Sequence, residues 1–209
     1  MTMDQHEILD GDFGDPAECV CEAPPLLYTP NPGDRPLPPA PTFAVKPYQG
    51  RAALNAAFGR MQVADGKIIR VTMPNNSVIT GAMWEARFMT SAKNLPLIGH
   101  AYINKVIEDP LRWLLGEWEK EGGYTIEQFG CFSPRAKATN PDAISLHSPA
   151  IAFDINPKKN PLSPADKPQL LITNIPDRWF ALARLAGFTC GRDFKGRKDP
   201  MHFQYAAGV

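Results

Sequence analysis

Ser145-Leu-His-Ser-Pro-Ala-Ile-Ala-Phe-Asp-Ile-Asn156 is the stretch on which the reading of this chain turns. From Ile151 to Asn156, apolar residues alternate with small or polar ones, the pattern of a strand. Asp154 then lies on the face opposite Phe153 and shares its face with Ala152 and Asn156. Ala152 is small and leaves room beside the acid for an ion or a substrate. His147 precedes the strand in a loop broken by Pro149, from which it can fold back over that face. A second segment, Asp199-Pro-Met-His202-Phe203, sets an acid and a histidine three apart across a proline. That spacing suits one ligand and one proton-transfer group aimed at a common point.

Two imidazoles and one carboxylate make a three-ligand zinc site whose fourth position is open to water. Zinc lowers the pKa of water at that position to about 7. A nearby carboxylate that is not a ligand can take the water proton and hand it to a leaving amine. On spacing alone, the competing reading is a pair of hydrogen-bonded core histidines. The chain has two other histidines, His6 and His100. His100 follows Leu97-Ile-Gly99 outside both segments and reads as structural or surface.

Around these segments the chain divides into recognisable elements. Ile68–Met73 and Val78–Thr80 are short and β-branched and flank Pro74-Asn-Asn-Ser77, which predicts a hairpin. From Asp109, Pro110 sits where a first helical turn tolerates it. Leu111, Leu114, Leu115 and Trp118 follow at helical spacing, and Gly122-Gly123 ends the run. Trp113 cannot share that stripe with Trp118, which places it at a cleft or an interface. A second helix is expected over about Pro176 to Ala186, with Trp179, Leu182, Ala183 and Ala186 inward and Gly187 as its stop. Phe188–Cys190 and His202–Tyr205 read as short strands. The whole predicts an α+β domain: a small antiparallel sheet with helices packed on it.

Proline is unevenly placed. Ten of the 22 prolines lie at or before Pro47. Residues 1–45 therefore read as a Pro-rich flexible tail or linker, and residues 46–209 as the domain. Cys19 and Cys21 fall in the tail, where with His6 they could hold a metal. Their C-x-C spacing lacks the usual zinc pattern, so free thiols are the expectation. With Cys131 and Cys190 they are too few for a disulfide scaffold.

The 209 residues carry 22 basic and 22 acidic side chains, a net charge of zero. That argues against a protein whose affinity comes from neutralising nucleic-acid phosphates. No run of about 18 apolar residues exists, so no membrane span is expected. The acidic amino terminus lacks the basic and apolar regions of a secretory signal, so synthesis in the cytoplasm is expected.

Ser145-x-His147-x-x-x-x-Ala152-x-Asp154-Ile-Asn156 followed by Asp199-x-Met-His202-Phe resembles the zinc D-alanyl-D-alanine carboxypeptidase superfamily. That group includes phage L-alanyl-D-glutamate endopeptidases that act as endolysins. Asp154-Ile-Asn-Pro157-x-x-Asn160-Pro161 and Ala186-Gly-Phe188 resemble its phage and prophage branch. The resemblance spans about residues 90 to 205 and implies a zinc-dependent D,D-peptidase, hedgehog-like fold. It implies His147, Asp154 and His202 as zinc ligands and Asp199 as the general base. Arg135 matches the arginine that stabilises the oxyanion. Ser145 either hydrogen-bonds the substrate peptide or serves as a turn residue. The implied substrate is a peptidoglycan stem peptide, cut at D-Ala-D-Ala or L-Ala-D-Glu by a monomer acting on the cell wall after release or from a phage particle. Two departures bear on the cleft. Ala150 stands where the family usually has glycine, and Thr189-Cys190-Gly191-Arg192-Asp193-Phe194 replaces a stretch rich in tryptophan and glycine. There, Gly191 matches, Phe194 is a plausible aromatic substitute, and Cys190 reads as a small buried residue rather than a further ligand. The rival from another class is a non-catalytic zinc-containing module, such as a virion-associated protein, docked through its Pro-rich tail.

Overall fold

The computed structural model describes residues 34–137 and 140–209. Most of the expected Pro-rich tail, with Cys19, Cys21 and His6, lies outside the described residues. The chain runs β1 (Tyr48–Gln49), α1 (Gly50–Phe58), β2 (Arg60–Ala64), β3 (Lys67–Thr72), β4 (Val78–Thr80), α2 (Gly81–Phe88), β5 (Met89–Leu95) and β6 (Gly99–Asn104). It continues with α3 (Glu108–Glu121), β7 (Phe129–Gly130), β8 (Ala136–Lys137), β9 (Asn140–Ile144) and β10 (Ala152–Ile155). Last come α4 (Asp177–Leu185), β11 (Thr189–Cys190), β12 (His202–Gln204) and β13 (Ala206–Ala207). Helices and small antiparallel sheets make this an α+β fold, with one exception to the antiparallel rule: β1 pairs with β13 in parallel. No helix among the described residues is long and apolar enough to cross a membrane.

The two expected helices form where their signals stand. Glu108 and Asp109 sit in the first turn of α3, where negative charge favours the helix dipole. Leu111, Leu114, Leu115 and Trp118 are fully buried, and Gly122, at φ 63°, ends the helix. In α4, Trp179, Phe180, Leu182 and Ala183 are buried. Gly187 after it has φ +89°, and a Cβ there would lie 2.8 Å from Pro47 Cγ and 3.0 Å from the Tyr205 ring. The conformation and the space both demand glycine. The helices meet through Trp118 and Trp179, whose rings stack at 4.4 Å and 13°. Trp118 Nε1 donates to the Trp179 carbonyl at 3.0 Å.

The sheet that matters for function has the order β11-β12-β10-β7. Its register pairs Phe153 with Phe203 and Asp154 with His202 across β10 and β12. Residues directly opposite in an antiparallel pair share a face, and successive residues alternate faces. The two phenylalanines therefore look one way, while the acid and the histidine look the other. Behind the sheet, Phe129, Phe153, Phe203 and Phe180 stack in sequence with centroids 5.3, 5.1 and 5.5 Å apart. Trp118 meets Phe153 and Phe203 edge-on. This aromatic column holds α3 and α4 against the strands.

The first half is richer than the sequence suggested. The expected hairpin is β3–β4, and β2 joins it as a third strand. Helix α2 is capped by Thr80, whose side chain accepts from Met83 N. Residues 34–45, the described part of the expected tail, lie along the domain. Arg35 bonds Glu121 at 2.8 Å, Arg178 donates to the Pro36 carbonyl, and Tyr205 Oη donates to the Val45 carbonyl at 2.7 Å. Phe43 packs edge-on against Trp113, the tryptophan left off the buried stripe of α3.

Truncating the column should be costly. Phe203→Ala is expected to lower the unfolding free energy of the metal-free protein by about 3–5 kcal/mol, read by urea unfolding.

Candidate metal centre

The cross-strand pair Asp154–His202 is completed by His147 from the loop before β10. Asp154 Oδ1 lies 3.0 Å from His202 Nδ1 and 3.2 Å from His147 Nε2, and the two imidazole nitrogens are 3.2 Å apart. The three atoms form a nearly equilateral triangle at the base of a cleft of about 540 Å³. These residues could hold one metal ion.

The hydrogen bonds behind the ligands decide what the triangle presents. His147 Nδ1 lies 2.8 Å from the Cys131 carbonyl. A carbonyl only accepts, so the proton is on Nδ1 and Nε2 of the neutral ring is bare. Gln204 Nε2 donates to the Ala206 carbonyl at 2.9 Å, which turns its Oε1 toward His202 Nε2 at 3.1 Å. His202 therefore carries its proton on Nε2 and leaves Nδ1 bare. Two imidazole lone pairs and a carboxylate oxygen thus converge with no donor between them. Such a cluster repels itself unless a proton or a cation enters, and it fits a divalent cation such as zinc.

The metal-free protein meets this with protons. Burial opposes ionisation of Asp154, yet hydrogen bonds from His147 and His202 hold its carboxyl well below the usual carboxylate range. Burial also opposes charge on His202, but the hydrogen bond and charge of Asp154, with Asp199 and Gln204 behind them, push its pKa up.

Asp199 sits in the same cleft, three residues before His202, whose N–H donates to the Asp199 carbonyl at 3.0 Å. Burial pushes its carboxyl pKa up, and the charge of Asp154 adds to this against the pull of His202, His147 and Arg197. Its Oδ1 is buried and has no hydrogen-bond partner among the described residues. Its seat is the backbone of Gly191. Asp199 N–H donates to the Gly191 carbonyl at 3.1 Å, and a Cβ on Gly191 would lie 2.2 Å from the Asp199 carbonyl oxygen.

Arg135 is exposed and lines the cleft. Its backbone is clamped by Ser148, whose Oγ accepts from Arg135 N at 3.0 Å and donates to Arg135 O at 3.1 Å. Ser145 also lines the cleft but is buried, and its Oγ accepts from His147 N at 3.3 Å. The loop carrying His147 is further held by Asn104, whose Nδ2 donates to the Pro149 carbonyl at 2.9 Å and whose N–H donates to the Ala150 carbonyl at 3.1 Å. Ala150 has φ +52°, a left-handed conformation that explains why glycine suits this position.

Other candidates fall away from the centre. His100 is exposed on β6 and is not among the cleft residues. Cys190 is fully buried and burial pushes its thiol up to about 12, which suits an inert packing residue. Phe194 lines the cleft, its ring 6.0 Å from that of His202. Asn156 and Asn160 are structural. Asn156 bonds the backbone of 125, 127 and 128, and Asn160 bonds Thr173 and the backbone of Asn174. The residues that sequence reasoning missed are Gln204, Ser148, Asn104 and the Cys131 carbonyl. Only Gln204, two positions from a candidate ligand on a strand, carried a signal, because i and i+2 share a face.

Gln204→Ala is expected to weaken zinc affinity by about 10–100-fold while the chain stays folded, read by competition with a chromophoric chelator. In the same assay, affinity should fall as pH drops. Because His202 titrates above its ordinary value in the metal-free protein, the fall should begin at a higher pH than for an ordinary imidazole. Gly191→Ala should displace Asp199 without touching a ligand, so zinc stoichiometry should persist in this variant while any hydrolytic activity falls.

No curated protein and no solved structure matches the chain. A family model does, over residues 138–205, and its description is D-alanyl-D-alanine carboxypeptidase. The matched segment contains His147, Asp154, Asp199 and His202, whereas Arg135 and everything before it lie outside the match. By that match, the carboxy-terminal third of the chain is similar to the D-alanyl-D-alanine carboxypeptidase family.

Proposed function

We propose that the protein is a zinc metallopeptidase that hydrolyses a peptide bond in peptidoglycan stem peptides. The observation that carries this reading is one cleft holding both a bare three-atom ligand triangle and the buried, unpartnered Oδ1 of Asp199. Zinc, when bound by His147, Asp154 and His202, supplies a Lewis acid and water of lowered pKa at neutral pH.

The chain's own residues do the rest. Asp199 accepts a proton from the attacking water and returns it to the leaving amine, and its raised pKa suits both halves of that transfer. Arg135, permanently charged, offers N–H donors to the oxygen on which negative charge develops, and the Ser148 clamp fixes the backbone from which it reaches. Gln204 and the Cys131 carbonyl keep both imidazoles in the tautomer that leaves the triangle bare. Phe194, Leu162 and Met201 give the cleft apolar wall against the substrate chain.

A non-catalytic zinc module is disfavoured by the same geometry. A structural site tends to fill all four positions with protein ligands, and three ligand atoms converge here among the described residues. It also has no use for a buried carboxylate beside the ligands.

Mass spectrometry of purified peptidoglycan after digestion tests the reading. Peptide cleavage is expected, abolished by a chelator, restored by zinc and reduced about 10²–10⁴-fold by Asp199→Ala. The fragment masses name the bond as D-Ala-D-Ala or L-Ala-D-Glu. Intact peptides from zinc-loaded protein would overturn the assignment.

A further inference from the structure

The chain is neutral overall, but its cleft is not. Arg135 and Lys137 line it from β8 and the residue before, and Lys195 and Arg197 line it from the loop that leads into Asp199. Against these four cations the lining holds two side-chain carboxylates, Asp154 and Asp199, with the last residue, Val209, also at the cleft, and Asp154 is engaged by both imidazoles. Elsewhere on the molecule some cations, Arg112, Lys120, Lys159, Arg184 and Arg192 among them, pair with a carboxylate. Among the described residues no such pair forms at any of the four cleft cations.

The cationic loop is a built feature. Arg197 Nε donates to the Ser163 carbonyl at 2.7 Å, and Ser163 N–H donates to the Lys198 carbonyl at 2.7 Å. Gln169 Nε2 donates to the carbonyls of Lys195 and Gly196 at 2.8 and 2.7 Å. Lys198 closes the turn, its N–H on the Pro168 carbonyl and its Nζ on the Phe194 carbonyl. The guanidinium and the turn are thus set before any ligand arrives, which reduces the ordering cost of binding. Lys137 is half-buried near Arg51, and burial with that charge lowers its pKa, so an incoming anion would relieve it.

We propose that Lys137, Lys195 and Arg197 select the substrate by charge, binding free carboxylates near the scissile bond so that acidic stem peptides are taken in preference to amidated ones. This rests on the peptidase reading and names the substrate form of that same site. A carboxylate forms charge-assisted hydrogen bonds with lysine and arginine. Its amide keeps the shape but loses the charge, which makes amidation the natural discriminator.

The probes are two synthetic stem peptides that differ only in whether their side carboxyls are free or amidated. Binding is measured by calorimetry on the zinc-loaded Asp199→Asn protein, and kcat/KM on the unmutated enzyme. The acid form is expected to lead by about ten-fold or more in both, and the lead should shrink in 0.5 M salt. Lys195→Gln with Arg197→Gln, and separately Lys137→Gln, should bring the ratio toward one. Arg197→Lys, which keeps the charge, should retain most of it and so guards against mere loop damage. Equal binding of the two peptides, or a preference that survives charge removal, overturns the proposal. Preferential binding with no cleavage of either peptide leaves charge selection standing and removes the peptidase reading. Equal cleavage of both does the reverse, and no binding of either removes both.

Discussion

The register between β10 and β12 is the constraint from which the rest of this molecule follows. Pairing Phe153 with Phe203 commits Asp154 to face His202, because side chains alternate along both strands. A slip of one residue would put the phenylalanines in the cleft and the two candidate ligands in the core. The stacked rings behind the sheet, with Trp118 across them, make that slip expensive. Apolar packing on one face thereby specifies polar geometry on the other.

What the register delivers is an electrostatic problem that calls for a cation. Each imidazole is held by an acceptor on its far nitrogen, the Cys131 carbonyl for His147 and Gln204 Oε1 for His202. Both near nitrogens are left bare toward a carboxylate oxygen about 3 Å away. The same low-dielectric surroundings that strengthen this arrangement keep the Asp199 carboxyl poised above its ordinary range. The proposed ligation and proton transfer draw on one environment, in which the carboxylate met by two imidazoles ionises readily and its neighbour does so reluctantly.

The region ahead of the family match contributes more than cover. His147 sits on a loop whose carbonyls at Pro149 and Ala150 are held by Asn104, at the end of β6. The Cys131 carbonyl that sets the His147 tautomer, and Arg135 itself, also come from before residue 138. A segment cut to the matched residues would keep the candidate ligands and lose what aims one of them. Residues 34–45, read from composition as tail, are fastened across α3 and α4 for a related reason. Proline denies them helix or inner strand but leaves side chains and carbonyls that Glu121, Arg178 and Tyr205 can hold.

How much was legible in the sequence follows the range of each interaction. Helices α3 and α4, the β3–β4 hairpin and the strand at 152–155 announced themselves, because periodicity, a tolerated proline and terminal glycines are local signals. His147, Asp154, Asp199 and His202 were legible because each pair lies within one short motif. Helix α2 and the β5–β6 hairpin were not, being short and weakly patterned and dependent on burial of Trp84, Phe88 and Met89 in the assembled core. By itself the sequence determined which residue types could ligate, transfer a proton and form a core. Only the tertiary structure decided that the Cys131 carbonyl meets His147 and that Lys195 and Arg197 border the same cleft as Lys137. Those outcomes join residues 16 or more positions apart, and no local pattern encodes such distances.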